Sequence, residues 1–181
     1  MDAMRIETYT YEEWLLWDEG VRAELYDGEL VMMAPPSQRH QEIISELNGQ
    51  LWQFLKGKQC KVFPAPFGVR LNADENTVFE PDIIVVCDMT KLDGKICNGA
   101  PDLVIEVLSP STAKTDRNYK YRKYQQAGVR EYWIVDPELD LLQAGVMRDG
   151  SYVTTVYDAE DNAPVSVLTG CIIDLSEVFA T

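Results

Sequence analysis

Two acidic residues lie inside apolar runs, and no other feature constrains the chain as much. Asp82 falls within Val78-Phe79-Glu80-Pro81-Asp82-Ile83-Ile84-Val85-Val86, and Glu106 within Asp102-Leu103-Val104-Ile105-Glu106-Val107-Leu108. A third run, Tyr132-Trp133-Ile134-Val135, closes the unit, and a helix holding Asp116, Lys120 and Lys123 precedes it. Short apolar runs of this kind read as buried strands. A carboxylate among Ile, Val and Leu is costly to desolvate unless something pairs with it. Two of them, with a lysine-bearing helix close behind, point to a metal or acid–base site. The bland alternative is that each carboxylate lies at a strand end facing water.

The strand–helix–strand step over 102–135, set among further strands, implies an α/β or α+β domain. The length of 181 residues suits one domain, 1–181, with no linker or repeat inside it. No apolar run approaches the roughly 18 residues that span a bilayer. The start, Met1-Asp2-Ala3-Met4-Arg5-Ile6-Glu7, lacks a secretory pattern. The four cysteines, Cys60, Cys87, Cys97 and Cys171, form no C-x-x-C pair, which argues against zinc. They read as reduced thiols in a cytoplasmic protein, Cys87 and Cys171 being small buried hydrophobes.

The formal net charge is −14, a poor match for non-specific phosphate binding. Between Ser111 and Arg130, however, six basic residues stand against Asp116 alone, a local charge of +5. An anionic partner would dock there, with Lys114, Arg117, Lys120 and Lys123 as the nucleic-acid-binding candidates.

Along the chain, Thr10 and Glu13 form a capping box for a first helix carrying Trp14, Leu15 and Trp17. Asp27-Gly28 signals a hairpin over Arg22–Met33. Ile43, Ile44, Leu47, Leu51 and Leu55 predict a helix over Gln38–Leu55 capped by Ser37, with His40 at the start of its apolar face. Pro64 and Pro66 push the strand in Cys60–Leu71 to an edge, and Asn72–Asn76 is a turn. Ser111 or Thr112 opens the basic helix and Gly128 stops it. A second hairpin flanks Met147-Arg148-Asp149-Gly150, and Cys171–Asp174 is a short strand followed by a helical turn.

Within the basic helix, Asp116, Lys120 and Tyr124 share one face. Lys120 lies one step from the apolar stripe of Tyr121, Tyr124 and Ala127, so an inward reach is open to it. An ordinary i, i+4 ion pair with Asp116 accounts for it equally.

The motifs Glu80-Pro81-Asp82, Asp102–Thr112, the set Asp116, Lys120 and Tyr124, and Ala127–Pro137 resemble the Uma-type endonuclease family of the PD-(D/E)xK nuclease superfamily. Glu24–Leu30, and Pro36-Ser37 with His40, resemble its more weakly marked N-terminal pattern. The resemblance implies a restriction-endonuclease-like fold: a mixed β-sheet flanked by helices, with additional hairpins. It implies hydrolysis of phosphodiesters with Mg²⁺ or Mn²⁺ as cofactor, a nucleic-acid substrate with DNA the first expectation, and a homodimer where both strands are cut. Asp82 and Glu106 match the acidic metal ligands, and the carbonyl of Val107 the usual third ligand. The superfamily's lysine falls two residues after the second acid, where this chain has Leu108. Lys120 is the matching substitute as water-orienting base, with Lys123 in reserve. Glu24 matches a family glutamate that could approach the metal. His40, the single histidine, is a candidate acid or base; a structural role fits it as well. The alternative is a nucleic-acid-binding or interaction protein on the same fold that does not cut.

Overall fold

The computed structural model describes residues 8–17, 22–72 and 76–180. The reading of Met1–Glu7 lies outside them, as do positions 73–75 of the expected turn. A short helix α1 (Tyr11–Leu15) carries the capping box, Thr10 accepting from Glu13 N–H. β1 (Ala23–Tyr26) and β2 (Glu29–Met32) form the first hairpin. Asp27 and Gly28 both have positive φ at its turn, 50° and 91°, as a two-residue hairpin of this twist requires. Helix α2 (Gln38–Leu55) starts at Ser37, whose hydroxyl accepts from His40 N–H. β3 (Lys61–Pro64) and β4 (Val69–Arg70) precede β5 (Ile83–Val86), and β6 (Cys97–Asn98) precedes β7 (Leu103–Val107).

Then α3 (Ala113–Thr115) widens into a π turn over Asp116–Lys120 and narrows again to α4 (Tyr121–Ala127). Gly128, at φ 83°, ends it. β8 (Glu131–Asp136) follows, with the hairpin of β9 (Leu141–Arg148) and β10 (Ser151–Tyr157). β11 (Asn162–Pro164), β12 (Ile172–Asp174) and α5 (Leu175–Val178) complete the order.

Six strands form one mixed sheet in the order β10-β9-β8-β7-β5-β3. Only β7 and β8 run parallel within it, joined by the helical crossover, while the other neighbours are antiparallel. Proline-containing β3 takes the edge, where its missing N–H costs no ladder bond.

Strand alternation divides the core into two layers. Ile83, Val85, Leu103, Ile105 and Val107 face α2 and α5. Ile84, Val86, Val104, Leu108 and Tyr132 face the other side, where Tyr124 and Val129 cover them. Among the described residues no helix is long and apolar enough to cross a membrane.

Two expectations need correction. The run Val78–Val86 is not a single strand. Val78 and Phe79 make isolated bridges to Leu25 and Val69, and β5 begins only at Ile83. Pro81 interrupts the run, because it has no N–H to extend a ladder. Asp82 therefore stands at the mouth of the sheet, partly buried, rather than within a strand. The second correction concerns Cys60 and Cys87, which form a disulfide rather than two thiols. Lys61 pairs with Val86 across the antiparallel β3–β5 ladder, so the next residue outward on each strand meets the other. Cys97 and Cys171 remain free and buried.

Candidate active site

Strand parity places Glu106. In β7 it alternates with Ile105 and Val107, so it shares the face of Val104 and Leu108, beneath the crossover helix. Leu108 is buried in that apolar layer. The ammonium beside Glu106 arrives from the helix above, on Lys120. The π turn widens the helix at this point, a feature often found at functional sites. Asp116, Lys120 and Tyr124 all end up buried on the sheet side, so the inward reach is realised.

Lys120 Nζ donates to Glu24 Oε1 at 2.9 Å and to Glu106 Oε1 at 3.0 Å, and lies 3.6 Å from Asp116 Oδ1. Tyr124 donates its hydroxyl to the same Glu106 oxygen at 2.9 Å. Glu24 comes from the hairpin, not from the sheet. It is held by Tyr26 OH at 2.5 Å and by Glu80 N–H at 2.8 Å. The hairpin turn is in turn fastened to the helix, since Asp27 accepts from Tyr119 OH at 2.6 Å and from Lys123 Nζ at 2.7 Å.

A second group lies at the end of β7. Val107 N–H donates to Asp82 Oδ2 at 2.8 Å. His40, in the first turn of α2, brings Nε2 to 2.9 Å from the Val107 carbonyl and 3.4 Å from Asp82 Oδ2. Both groups open into one cleft of about 660 Å³, lined by Glu24, His40, Asp82, Glu106, Asp116 and Lys120. Met32, Met33, Pro35 and Pro36 form one apolar wall, and Pro110 and Pro137 lie among the other lining residues.

The charges in this cleft do not balance. Its lining carries six carboxylates, Glu24, Glu80, Asp82, Glu106, Asp116 and Glu138, against Arg22, Arg39, Lys120 and the imidazole of His40, and Arg22 is paired with Glu80 and Arg39 with Asp140. Burial raises the Glu106 carboxyl well above the usual range; Lys120 opposes that rise, while Asp116, Asp82 and Glu24 add to it. Burial raises Asp116 too, again against Lys120, and its Oδ1 has no hydrogen-bond partner. For Lys120 burial works against the charge, but Glu106 and Glu24 outweigh it and hold the ammonium well above the ordinary lysine value. For His40 burial likewise works against protonation, and contacts with Asp82 outweigh it, so its pKa is raised.

A buried site with surplus carboxylate suits a divalent cation. Asp82 Oδ2 and the Val107 carbonyl supply oxygen donors of the right kind at the open end. Among the described residues no three His, Cys, Asp or Glu side chains form a ready-made metal cluster. A cation here would therefore rest on few side chains, the backbone carbonyl and water, which is how Mg²⁺ is commonly held.

The expected residues are thus largely brought together. Glu24, His40, Asp82, Glu106, Val107 and Lys120 converge on one cleft. Glu24 meets Lys120 there. The basic stretch does not form one surface. Arg117 pairs with Asp136 and Gln143, Lys123 with Asp27, and Arg130 with Asp102, while Lys120 is buried and Lys114 exposed. Tyr26 and Tyr119 were not singled out by the sequence. As tyrosines near apolar residues they signal packing first, and only the fold turns their hydroxyls toward Glu24 and Asp27.

Comparison with known proteins bears on the family and the fold. A family model described as Uma2, "putative restriction endonuclease", matches residues 9–176. An uncharacterized protein of Synechocystis sp. (strain ATCC 27184 / PCC 6803 / Kazusa), slr1290, is 31% identical over 156 residues, covering 83% of this chain and 80% of that protein. A second from the same organism, sll1609, is 26% identical over 118 residues, 64% of this chain and 66% of that protein. The crystal structure of a putative nuclease belonging to DUF820 from Anabaena variabilis ATCC 29413 superposes with a TM-score of 0.77 at 20% identity, over 94% of this chain and 97% of that one. The fold expectation, a mixed sheet flanked by helices, agrees with that neighbour.

Proposed function

The chain belongs to the Uma2 family of putative restriction endonucleases, and from that premise we propose that it is a metal-dependent nuclease that hydrolyses phosphodiester bonds of nucleic acid, DNA first. The observation that carries the reading is the buried Lys120 ammonium between Glu24 and Glu106, in a cleft with surplus carboxylate. Asp82, Glu106 and the Val107 carbonyl would hold Mg²⁺ or Mn²⁺. Such an ion, when bound, lowers the pKa of a coordinated water and stabilises charge on the phosphoryl oxygens.

The chain's own residues do the rest. Lys120 is a donor, not a base, because its carboxylate neighbours keep it protonated. It orients water by donating to it, and it offsets negative charge in the transition state. Glu24 and Tyr124 keep the Lys120–Glu106 pair in place. Cutting both strands of a duplex calls for two such sites, so a homodimer is the assembly proposed. The substrate, rather than the cysteines, is the reason for a cytoplasmic location. The alternative of a binder that does not cut needs an open basic surface, and three of its four basic candidates are engaged within the chain.

The test is cleavage of supercoiled plasmid and single-stranded oligonucleotides with Mg²⁺, Mn²⁺ or EDTA, beside Asp82→Asn and Glu106→Ala. Metal-dependent cutting lost in both variants is expected. Cutting that survives both substitutions overturns the assignment.

A further inference from the structure

Resting on that reading and extending it, we infer that His40 is itself a ligand of the cation, through Nε2, and that the site is fitted to Mn²⁺ ahead of Mg²⁺. Neighbouring ligands of an octahedral ion at about 2.1 Å stand roughly 3 Å apart. Nε2 lies 2.9 Å from the Val107 carbonyl oxygen and 3.4 Å from Asp82 Oδ2. Nε2 thus stands from each of the two oxygens at about the spacing of adjoining corners of one coordination shell.

The rest of the ring agrees. His40 Nδ1 is buried and has no partner, so every polar contact that fixes the imidazole is made at the Nε2 end, toward the cleft. The backbone beneath it is fixed, because His40 N–H donates to the Ser37 cap of an 18-residue helix. α2 packs on one face of the sheet and the crossover helix on the other. The site would draw its nitrogen donor from the first and its ammonium from the second, with β7 between them.

The Val107 carbonyl can only accept, so Nε2–H donates to it here; ligation would exchange that hydrogen bond for the ion, using the Nε2 lone pair of the neutral ring with the ring proton on Nδ1. Imidazole nitrogen suits transition ions, whereas Mg²⁺ favours a wholly oxygen shell. One nitrogen among carboxylate, carbonyl and water oxygens therefore tilts selectivity toward Mn²⁺.

The experiment is pulsed electron paramagnetic resonance on the Mn²⁺-loaded wild-type chain, with calorimetric titration of Mn²⁺ and Mg²⁺ into the wild type, His40→Gln and Asp82→Asn. The expected results are a nitrogen hyperfine coupling from a directly bound imidazole, and Mn²⁺ affinity at least about tenfold weaker in His40→Gln with a smaller change for Mg²⁺. If His40→Gln does not fold, the wild-type nitrogen coupling decides alone. Mn²⁺ that binds and is lost in Asp82→Asn, but shows no nitrogen coupling, overturns the role of His40 and leaves the nuclease reading standing. A folded wild type that binds no Mn²⁺ overturns both.

Discussion

Lys120 Nζ lies 3.0 Å from Glu106 Oε1, and both side chains are about 95% buried although 14 residues separate them in sequence. The pair ties the crossover helix to the strand it crosses. Removing the ammonium leaves Glu24, Glu106 and Asp116 without their common cation. Breaking a buried pair from one side typically costs about 3–5 kcal/mol. Lys120→Met is expected to lose stability on that scale in urea denaturation. Lys120→Met combined with Glu106→Gln should lose less than the two single changes added together, because the second change removes one of the stranded charges. Strict additivity would show that the pair does not couple.

The hairpin turn supplies a pH-dependent clasp. Hydrogen bonds from Lys123 and then Tyr119 hold the Asp27 carboxyl below its ordinary range. A carboxylate with a lowered folded-state pKa adds stability that is fully present above the unfolded value of about 3.9 and is lost as pH falls through the folded value. Asp27→Asn keeps a residue that tolerates the positive φ of 50° at this turn. The variant should be less stable than wild type near pH 7, and the gap should narrow toward pH 3. Denaturant midpoints at both pH values check this, and a gap that is the same at each would refute it.

The cysteines predict a labelling pattern. Burial pushes the thiols of Cys97 and Cys171 up to about 11. Little thiolate exists at pH 8 for either, and the thiolate is the reactive form. Cys60 and Cys87 are bonded to each other. An alkylating reagent should modify none of the four in the folded chain, two after unfolding, and four after unfolding with reduction, as intact mass would record. Four modifications after unfolding without reductant would restore the reading of all four as free thiols.

Much of the site was legible because its signals are local. Glu106 stands out by being charged inside an apolar run, and helical spacing alone sets Asp116, Lys120 and Tyr124 on one face. Asp27-Gly28, Ser37 and Gly128 mark their turn, cap and stop by backbone chemistry that needs no tertiary contact. What stayed hidden depends on pairing between distant segments. The register that sets Cys60 opposite Cys87 is fixed by β3 and β5 together. The +5 stretch looked like a docking surface, since nothing in its own sequence reveals that Asp136, Asp27 and Asp102 would neutralise it. Counting charge along a segment leaves out the charges that the fold brings to it.

Glu24 separates holding the lysine from holding the metal. Its Oε1 accepts from Lys120 and from Glu80 N–H, and its Oε2 accepts from Tyr26, so the carboxylate is engaged at both oxygens within the chain. A residue so committed acts on Lys120 rather than on a cation at Asp82 and Val107. Glu24→Gln preserves the shape but withdraws one of the two carboxylate charges, the other and larger being Glu106, that hold Lys120 protonated and aimed. Loss of one charge-assisted hydrogen bond is worth about 1.5–3 kcal/mol. If that loss falls wholly on the transition state, cleavage slows by roughly ten- to a hundredfold. Mn²⁺ affinity, read by calorimetry, should stay within about twofold of wild type, since the partners of Glu24 are Lys120, Tyr26 and the Glu80 N–H rather than any of the three proposed oxygen donors, Asp82, Glu106 and the Val107 carbonyl. A large loss of Mn²⁺ affinity in Glu24→Gln would instead make Glu24 a metal ligand, and the Lys120 contact would then be the arrangement that the cation displaces.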